Sequence, residues 1–235
     1  MNKRVGPNKE GVSKQVHQKK FLLTVIGIAA GIAVAISTIV IGNGSPKRGF
    51  PDNPSARRSE EALEEAAGRI AATLPMFHRV DENYLRGALP LRGGIGTLQE
   101  LGVKTLVDLR SIYDHTDDVR AAAEIAGLVY HWVPMSVWNP PTDEEANHFV
   151  SLVTDTANGP FFVFCADGLN RIGEMTAIYR VVHNKWSVEK ALEEADALGF
   201  NPYYYTLRNY VWDYGRKFRP SAVPPTGRRV SPIEP

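Results

Sequence analysis

The chain contains a single cysteine, Cys165, and an arginine, Arg171, follows it six positions later. A thiolate is a nucleophile that can accept a phosphoryl group, and a guanidinium binds two phosphate oxygens at once through its planar set of N–H donors. Between them lies Gly168, which permits backbone conformations that wrap consecutive N–H groups around an anion. These residue types at this spacing predict a site that transfers a phosphoryl group to sulfur without a metal.

The segments on either side of this stretch are suited to position it. The apolar run 161–164 is typical of a buried strand, and the spacing of Ile172, Met175 and Ile178 fits one face of a helix. A strand, a turn and a helix in that order bring the N–H groups of the turn and of the helix N-terminus to one anion. The predicted phosphate-binding residues are Ala166, Asp167, Gly168, Leu169, Asn170 and Arg171.

The rest of the chain alternates between strand-like and helix-like segments. Helices are expected at 59–74, 97–101, 114–127, 171–184, 187–198 and 207–218 and from about Thr142, and strands at 77–80, 84–86, 103–109 and 128–133. This alternation predicts an α/β fold with a central, mostly parallel sheet flanked by helices.

Composition excludes several other classes of function. The net charge is +1, so there is no electrostatic argument for binding nucleic acid. One cysteine cannot form an internal disulfide. The sequence has no Cys/His cluster at metal-ligand spacing and no glycine-rich nucleotide loop, so neither a metal nor a cofactor is expected.

The order of strand, Cys165, five residues, Arg171 and helix resembles the phosphate loop of the protein tyrosine phosphatase superfamily. Further segments are similar to small bacterial and fungal-type dual-specificity phosphatases: 77–90, 102–110, 127–135 and 179–187. The resemblance implies hydrolysis of phosphomonoesters, such as phosphotyrosine or phosphoserine/threonine of proteins, through a cysteinyl-phosphate. Cys165 would be the nucleophile and Arg171 the phosphate binder.

The resemblance also implies an aspartate, upstream of the phosphate loop, that protonates the leaving oxygen. Asp143 is the nearest candidate in the sequence. Thr142 has the character of an N-cap, however, and acids in the first turn of a helix are common for structural reasons. Asp167, inside the loop, is a second candidate for the acid.

Three residues depart from the pattern of the superfamily. Phe164 stands where histidine is usual, Ile172 stands where Thr or Ser is usual, and Asp167 adds negative charge to an anion site. Loss of the hydroxyl donor should raise the pKa of the thiol. These departures leave open a catalytically impaired module that binds phosphorylated ligands. An inositol phosphate phosphatase is a third reading, although Asp167 disfavours a substrate as anionic as an inositol pyrophosphate.

An uncharged run of 22 residues, 21–42, is long enough to cross a membrane as a helix. The stretch before it carries more Lys and Arg than the stretch after it, which favours a cytoplasmic tail and an extracytoplasmic main domain. The predicted organisation is a basic tail (1–20), a single transmembrane helix (21–42), a linker and helix (43–75), a dual-specificity phosphatase-like domain (76–218) and a flexible tail (219–235). Arg110, after a predicted strand, either faces the site or caps the strand end.

Overall fold

The computed structural model describes residues 54–218. The strands are β1 (His78–Arg79), β2 (Tyr84–Ala88), β3 (Thr105–Asp108), β4 (Val129–Trp132) and β5 (Phe161–Cys165). The helices are α1 (Pro54–Thr73), α2 (Gly94–Glu100), α3 (Asp117–Ile125), α4 (Asp143–Thr154), α5 (Asn170–Val182), α6 (Val188–Ala197) and α7 (Tyr205–Phe218).

The five strands form one sheet in the order β1-β2-β5-β3-β4. Strands β2, β5, β3 and β4 run parallel to their neighbours, and β1 pairs antiparallel with β2 at one edge. Because parallel strands need crossover connections, helices lie between them along the chain. The predicted α/β fold with a mostly parallel sheet is therefore confirmed.

The register of the sheet brings three strand ends together. Ala88 at the end of β2 pairs with Cys165, and Asp108 at the end of β3 pairs with Phe164. The loops that follow these strands leave the sheet at the same edge, where open α/β sheets bind their ligands. Cys165 lies at the end of the central strand β5, which is flanked by β2 on one side and by β3 on the other.

Alternation along β5 divides its side chains between the two faces of the sheet. Val163 and Cys165 belong to the main hydrophobic core, together with apolar residues of α4, α5, α6 and α7. Phe162 and Phe164 point to the other face, where Phe162 stacks on Phe77 and on Phe164 with centroid separations of 6.5 and 5.8 Å. All five residues of β5 are buried, so this strand is a rigid support for the loop that follows it.

Local capping explains where helices begin. The Thr142 side chain accepts a hydrogen bond from the N–H of Glu145, and the Glu145 carboxylate accepts one from the N–H of Thr142. This capping box starts α4 at Asp143, as expected for Thr142. Helix α3, in contrast, begins at Asp117 and not at the predicted Asp114. The reason is that the Asp114 carboxylate accepts hydrogen bonds from the backbone and hydroxyl of Ser111, which hold it in the preceding loop.

The chain divides into two compact units, with the boundary between Arg69 and Ile70. Of the first unit, the structure describes the part of α1 that runs from Pro54 to Arg69, and this part contains an ion pair between Arg69 and Glu65. The second unit holds the sheet. Within residues 54–218, no helix is sufficiently long and apolar to span a membrane. The predicted transmembrane helix at 21–42, the basic tail and the C-terminal tail lie outside the described residues.

Candidate active site

The phosphate loop connects β5 to α5. Cys165 is the last residue of β5, and Arg171 is the second residue of α5. Gly168 adopts φ +73°, and a Cβ at this position would lie 2.7 Å from the backbone nitrogen of Ala88. A larger residue would therefore be both strained and displaced by the end of β2. The sequence-predicted loop residues are thus brought to one place by β5, β2 and α5.

The Cys165 thiol is buried at the base of this loop. Its Sγ lies 3.2 Å from Oδ1 of Asp167 and also receives a hydrogen bond from the backbone N–H of Ile172. Burial raises the pKa of the Cys165 thiol, and the negative charge of Asp167 raises it further; the N–H of Ile172 and the charge of Arg171 act in the opposite direction without reversing it. In the free protein the Cys165 thiol thus donates a hydrogen bond to Oδ1 of Asp167.

Asp167 also bonds to the loop itself. Its Oδ1 accepts a hydrogen bond from the N–H of Leu169 at 3.0 Å. A single carboxylate oxygen therefore contacts both the Cys165 thiol and one of the N–H groups expected to bind phosphate.

The Arg171 guanidinium is buried and points towards the loop that follows β3. Its Nη1 lies 3.3 Å from Oδ2 of Asp114, and its Nε has no hydrogen-bond partner among the described residues. Burial alone would raise the pKa of Asp114, but hydrogen bonds from Ser111 and the contact with Arg171 lower it below its usual range. Asp114 thus orients Arg171 while leaving other N–H donors of the guanidinium available to a phosphate.

A second buried guanidinium, that of Arg86 on β2, lies against the loop. Its Nη2 donates a hydrogen bond to the carbonyl oxygen of Gly168 at 2.9 Å, and its Nη1 has no partner among the described residues. The sequence pattern did not single out Arg86, because an arginine in a short strand is usually exposed. Asp114 and Ser111 were missed because the helix was predicted to begin at Asp114.

Arg110 was predicted either to face the site or to cap a strand end. Its guanidinium binds Asp108 through two nitrogens and donates to the carbonyl oxygen of His115 at 2.8 Å. It also lies over the ring of Phe164, with the guanidinium carbon 5.6 Å from the centroid. Arg110 therefore shapes the loop after β3. Phe164, at the position where histidine is usual, is packed between this guanidinium and the ring of Phe162.

Asp143 is exposed on the first turn of α4. Its carboxylate contacts Nζ of Lys217 and accepts a hydrogen bond from the hydroxyl of Tyr210 at 3.1 Å, both on α7. The hydrogen bond from Lys217 is the main cause that lowers the pKa of Asp143. A lowered pKa disfavours the protonated form that a general acid needs. The role of Asp143 as the acid remains a prediction.

Comparison with known proteins places this geometry in a family. A family model described as a DSP-PTPase phosphatase fused to NAD+ kinase matches residues 75–207, more than half of the chain. The chain belongs to this DSP-PTPase family. This assignment confirms the predicted resemblance to dual-specificity phosphatases of the protein tyrosine phosphatase superfamily.

Relatives within the DSP-PTPase group agree with the assignment. The dual specificity protein phosphatase TpbA of Pseudomonas aeruginosa strain UCBPP-PA14 is 31% identical over 124 residues, which are 53% of this chain and 55% of TpbA. The match thus spans about half the length of this curated relative. The crystal structure of P. aeruginosa TpbA superposes with a TM-score of 0.52 at 26% identity and covers 62% of this chain and 92% of that one.

A second solved structure shares the fold alone. The core catalytic domain of the PP-IP phosphatase SIW14 from S. cerevisiae superposes with a TM-score of 0.51 at 19% identity and covers 60% of this chain and 86% of that one. Both structural neighbours match the DSP-PTPase architecture of sheet and flanking helices described above.

Proposed function

We propose that the protein is a cysteine-dependent phosphatase that hydrolyses phosphomonoesters, phosphotyrosine above all, through a cysteinyl-phosphate. The observation that carries this proposal is the arrangement of the thiol of Cys165 and the guanidinium of Arg171 on one loop, at the end of the central strand. Beside them, the N–H of Ile172 donates to the sulfur and the N–H of Leu169 donates to the Asp167 oxygen that contacts it, and such N–H groups at a helix N-terminus bind anions.

The reaction follows from these groups. The Cys165 thiol gives its proton to a base in the solvent, and the thiolate attacks phosphorus, so that an S–P bond forms and the P–O bond to the leaving group breaks. The leaving oxygen takes a proton from an acid. Water then attacks phosphorus and gives a proton to the conjugate base of that acid, the S–P bond breaks, and phosphate leaves with the thiolate restored. Arg171 and the loop N–H groups hold the three non-reacting phosphate oxygens, over which negative charge is spread in the transition state.

The surroundings of the site favour an aryl phosphate. TpbA has been crystallised in complex with phosphotyrosine. In the present chain, Tyr113 is 89% exposed and directly precedes Asp114, the residue that binds Arg171. Ile112 beside it is also exposed. These apolar side chains on the loop after β3 offer a surface on which the ring of a phosphorylated tyrosine can pack.

The proposal is tested by phosphate release from para-nitrophenyl phosphate by the full-length chain. Cys165→Ser should abolish turnover because the hydroxyl is a far weaker nucleophile. Arg171→Lys should lower kcat/KM by at least about tenfold because a lysine lacks the planar fork of donors. Turnover that persists in Cys165→Ser would exclude the cysteinyl-phosphate mechanism.

A second candidate is a module that binds phosphorylated ligands without turning them over. It is favoured by the raised pKa of Cys165 and by the contact of its Sγ with the Asp167 carboxylate. Binding of phosphotyrosine by the wild-type chain with no release of phosphate over the range pH 5 to 9 would support this candidate over the enzyme.

We also propose that the protein is anchored in a membrane by residues 21–42, with the phosphatase domain outside the cytoplasm. The support is the uncharged run and the basic tail before it. Extraction of membranes at alkaline pH should leave the full-length chain in the pellet and release a variant lacking residues 1–42. Protease added to intact spheroplasts should digest the phosphatase domain if the predicted orientation is right.

A further inference from the structure

Arg86 is a buried arginine on β2, and it lies on the same face of the sheet as the nucleophile. Its position in the register pairs it with Val163, and Ala88 pairs with Cys165. Because directly paired residues of neighbouring strands share a face, Arg86 and Cys165 are diagonal neighbours on that face. The Arg86 side chain is 1% exposed, so its charge acts through protein and not through water.

The contact of Arg86 with the loop fixes the orientation of one peptide group. Its Nη2 binds the carbonyl oxygen of Gly168. In a trans peptide the C=O and the following N–H point in opposite directions. Holding the Gly168 carbonyl towards Arg86 therefore turns the N–H of Leu169 away from Arg86 and into the loop, where it donates to the oxygen that also contacts the Cys165 thiol.

Burying the charged Arg86 lowers the stability of the fold. Nη1 is buried and has no hydrogen-bond partner in the described part of the chain, and an unpaired buried donor destabilises a fold. Arg180, a buried arginine on α5, in contrast binds both carboxylate oxygens of Glu194. A purely structural arginine would be expected to have a partner of this kind.

The charged groups around Cys165 give this cation a partner. Asp167 and Arg171 act on the sulfur electrostatically from the loop and from α5. Burial lowers the pKa of Arg86 on β2, and Tyr84, the ionised form of Cys165, Glu194 and Asp167 oppose this lowering, in that order of size. Burial also lowers the pKa of His78 on β1, and the charge of Arg86 contributes to that lowering. A thiolate at Cys165 would thus compensate the unpaired cation.

We propose that Arg86 is a positioning residue for the phosphatase reaction: it orients the Leu169 N–H towards the bound phosphate and supplies buried positive charge that stabilises the Cys165 thiolate. This inference rests on the proposed function, because it assigns the residue a part in forming the nucleophile and in binding the phosphate. Arg86, on β2, would then be a third side chain of the site, besides Cys165 on β5 and Arg171 on α5.

The test uses alkylation of the full-length chain by iodoacetamide as a function of pH. Since the chain has one cysteine, the rate reports the ionisation of Cys165 alone, and it does so whether or not the protein turns over a substrate. The concentration of inorganic phosphate that halves the alkylation rate reports anion binding in the same experiment. Thermal unfolding of each variant reports its fold.

Arg86→Gln removes the charge and keeps an N–H donor, and Arg86→Lys keeps the charge. We expect Arg86→Gln to slow alkylation at neutral pH by roughly tenfold, with its pH profile moved to higher pH. Arg86→Lys should keep the wild-type profile. Arg86→Met, which lacks both features, should in addition raise the protecting phosphate concentration by roughly tenfold. If Arg86→Met does not fold, the comparison of Arg86→Gln with Arg86→Lys still tests whether the charge of Arg86 influences the ionisation of Cys165.

Arg180→Met is the matched control, because it removes a buried arginine that does not contact the loop. It should lower the midpoint of thermal unfolding and leave the alkylation profile unchanged. The proposal is overturned if Arg86→Gln alkylates and is protected by phosphate like the wild type, or if Arg180→Met shifts the profile equally. A wild-type chain that fails to hydrolyse para-nitrophenyl phosphate, with these alkylation results intact, would instead refute the enzymatic function.

Discussion

The Sγ of Cys165 and the N–H of Leu169 converge on a single oxygen of Asp167, at 3.2 and 3.0 Å. Asp167 thus contacts the Cys165 thiol and the loop at once, and after burial its charge is the largest cause of the raised pKa of the thiol. Removing that charge should make the thiolate easier to form, because a neighbouring anion disfavours a second one.

Asp167→Asn should therefore move the alkylation profile of Cys165 to lower pH and speed alkylation below neutral pH by roughly tenfold. Inorganic phosphate should protect the variant at lower concentration, since an anion no longer competes for the loop. Asp155→Asn, an exposed aspartate in the turn before β5, is the control and should leave both readouts unchanged. Unaltered alkylation in Asp167→Asn would show that its carboxylate does not influence the thiol.

Asp143 and Asp167 are the candidates for the acid from the sequence, and the structure adds Asp114 as a third because it contacts Arg171. Asp114 contacts Arg171, whereas Asp143 contacts Lys217 and Tyr210 on α7. Loss of a general acid removes the alkaline limb of a pH–rate profile and lowers kcat by about 10²–10⁴-fold for substrates with poor leaving groups. The pKa of both Asp114 and Asp143 is lowered in the free protein, so position alone distinguishes these two carboxyls. Because Asp114 contacts Arg171 and Asp143 does not, we expect Asp114→Asn to have this effect on phenyl phosphate and Asp143→Asn to change kcat by less than about threefold.

The measurement compares kcat for phenyl phosphate and for para-nitrophenyl phosphate, whose leaving group needs little protonation. A loss confined to phenyl phosphate identifies the acid. If Asp143→Asn shows that loss and Asp114→Asn does not, the sequence-based assignment of Asp143 is correct and Asp114 only orients Arg171.

Gly168 adopts a left-handed backbone conformation in the phosphate loop and packs against β2. Gly168→Ala places a Cβ 2.7 Å from the Ala88 nitrogen and 2.8 Å from the Cβ of Met76. We expect loss of at least about 1–3 kcal/mol in the free energy of unfolding, from the backbone strain, and an activity reduced by far more than the loss of folded protein.

Gly102→Ala is the matched control, because Gly102 has φ +79° and, apart from its chain neighbours, no residue within 54–218 has an atom within 4 Å of the added Cβ. It should lose similar stability through backbone strain but keep the activity of its folded fraction. Chemical denaturation and initial rates measure the two effects. Equal activity of the two variants would show that the loop tolerates displacement.

Glu174 on α5 is a buried carboxyl whose Oε1 has no hydrogen-bond partner among residues 54–218. Burial raises its pKa well above the usual value of 4.5. A raised pKa in the folded state means that the stability contributed by the protonated acid is fully present below about pH 4.5 and is lost as the pH rises through the folded-state pKa.

Glu174→Leu should therefore raise the free energy of unfolding at pH 7.5 by about 1–3 kcal/mol, with a smaller gain at pH 4.5. Glu194→Leu is the control of opposite sign: it leaves the buried guanidinium of Arg180 unpaired and should destabilise the protein. Urea denaturation at the two pH values measures both. A gain for Glu174→Leu that is the same at both pH values would contradict a titrating carboxyl.

The sequence alone determined the parts of this protein that depend on local order along the chain. The apolar run before Cys165, the glycine in the turn and the apolar spacing after Arg171 predicted strand, loop and helix because these elements depend mainly on periodicity and backbone conformation. The alternation of elements predicted the parallel sheet, and the resemblance of the loop gave the family. Thr142 was likewise sufficient to predict the start of α4.

The tertiary structure alone decided which distant side chains meet at the loop. Arg86 is 82 residues from Gly168, and Asp114 is 57 residues from Arg171; their contacts follow from the register of β2, β3 and β5, which no local pattern encodes. The same long-range packing turns Asp143 towards Lys217 on α7. Burial then raises the pKa of the Cys165 thiol, because an environment of low polarity is created only when the sheet and its helices assemble.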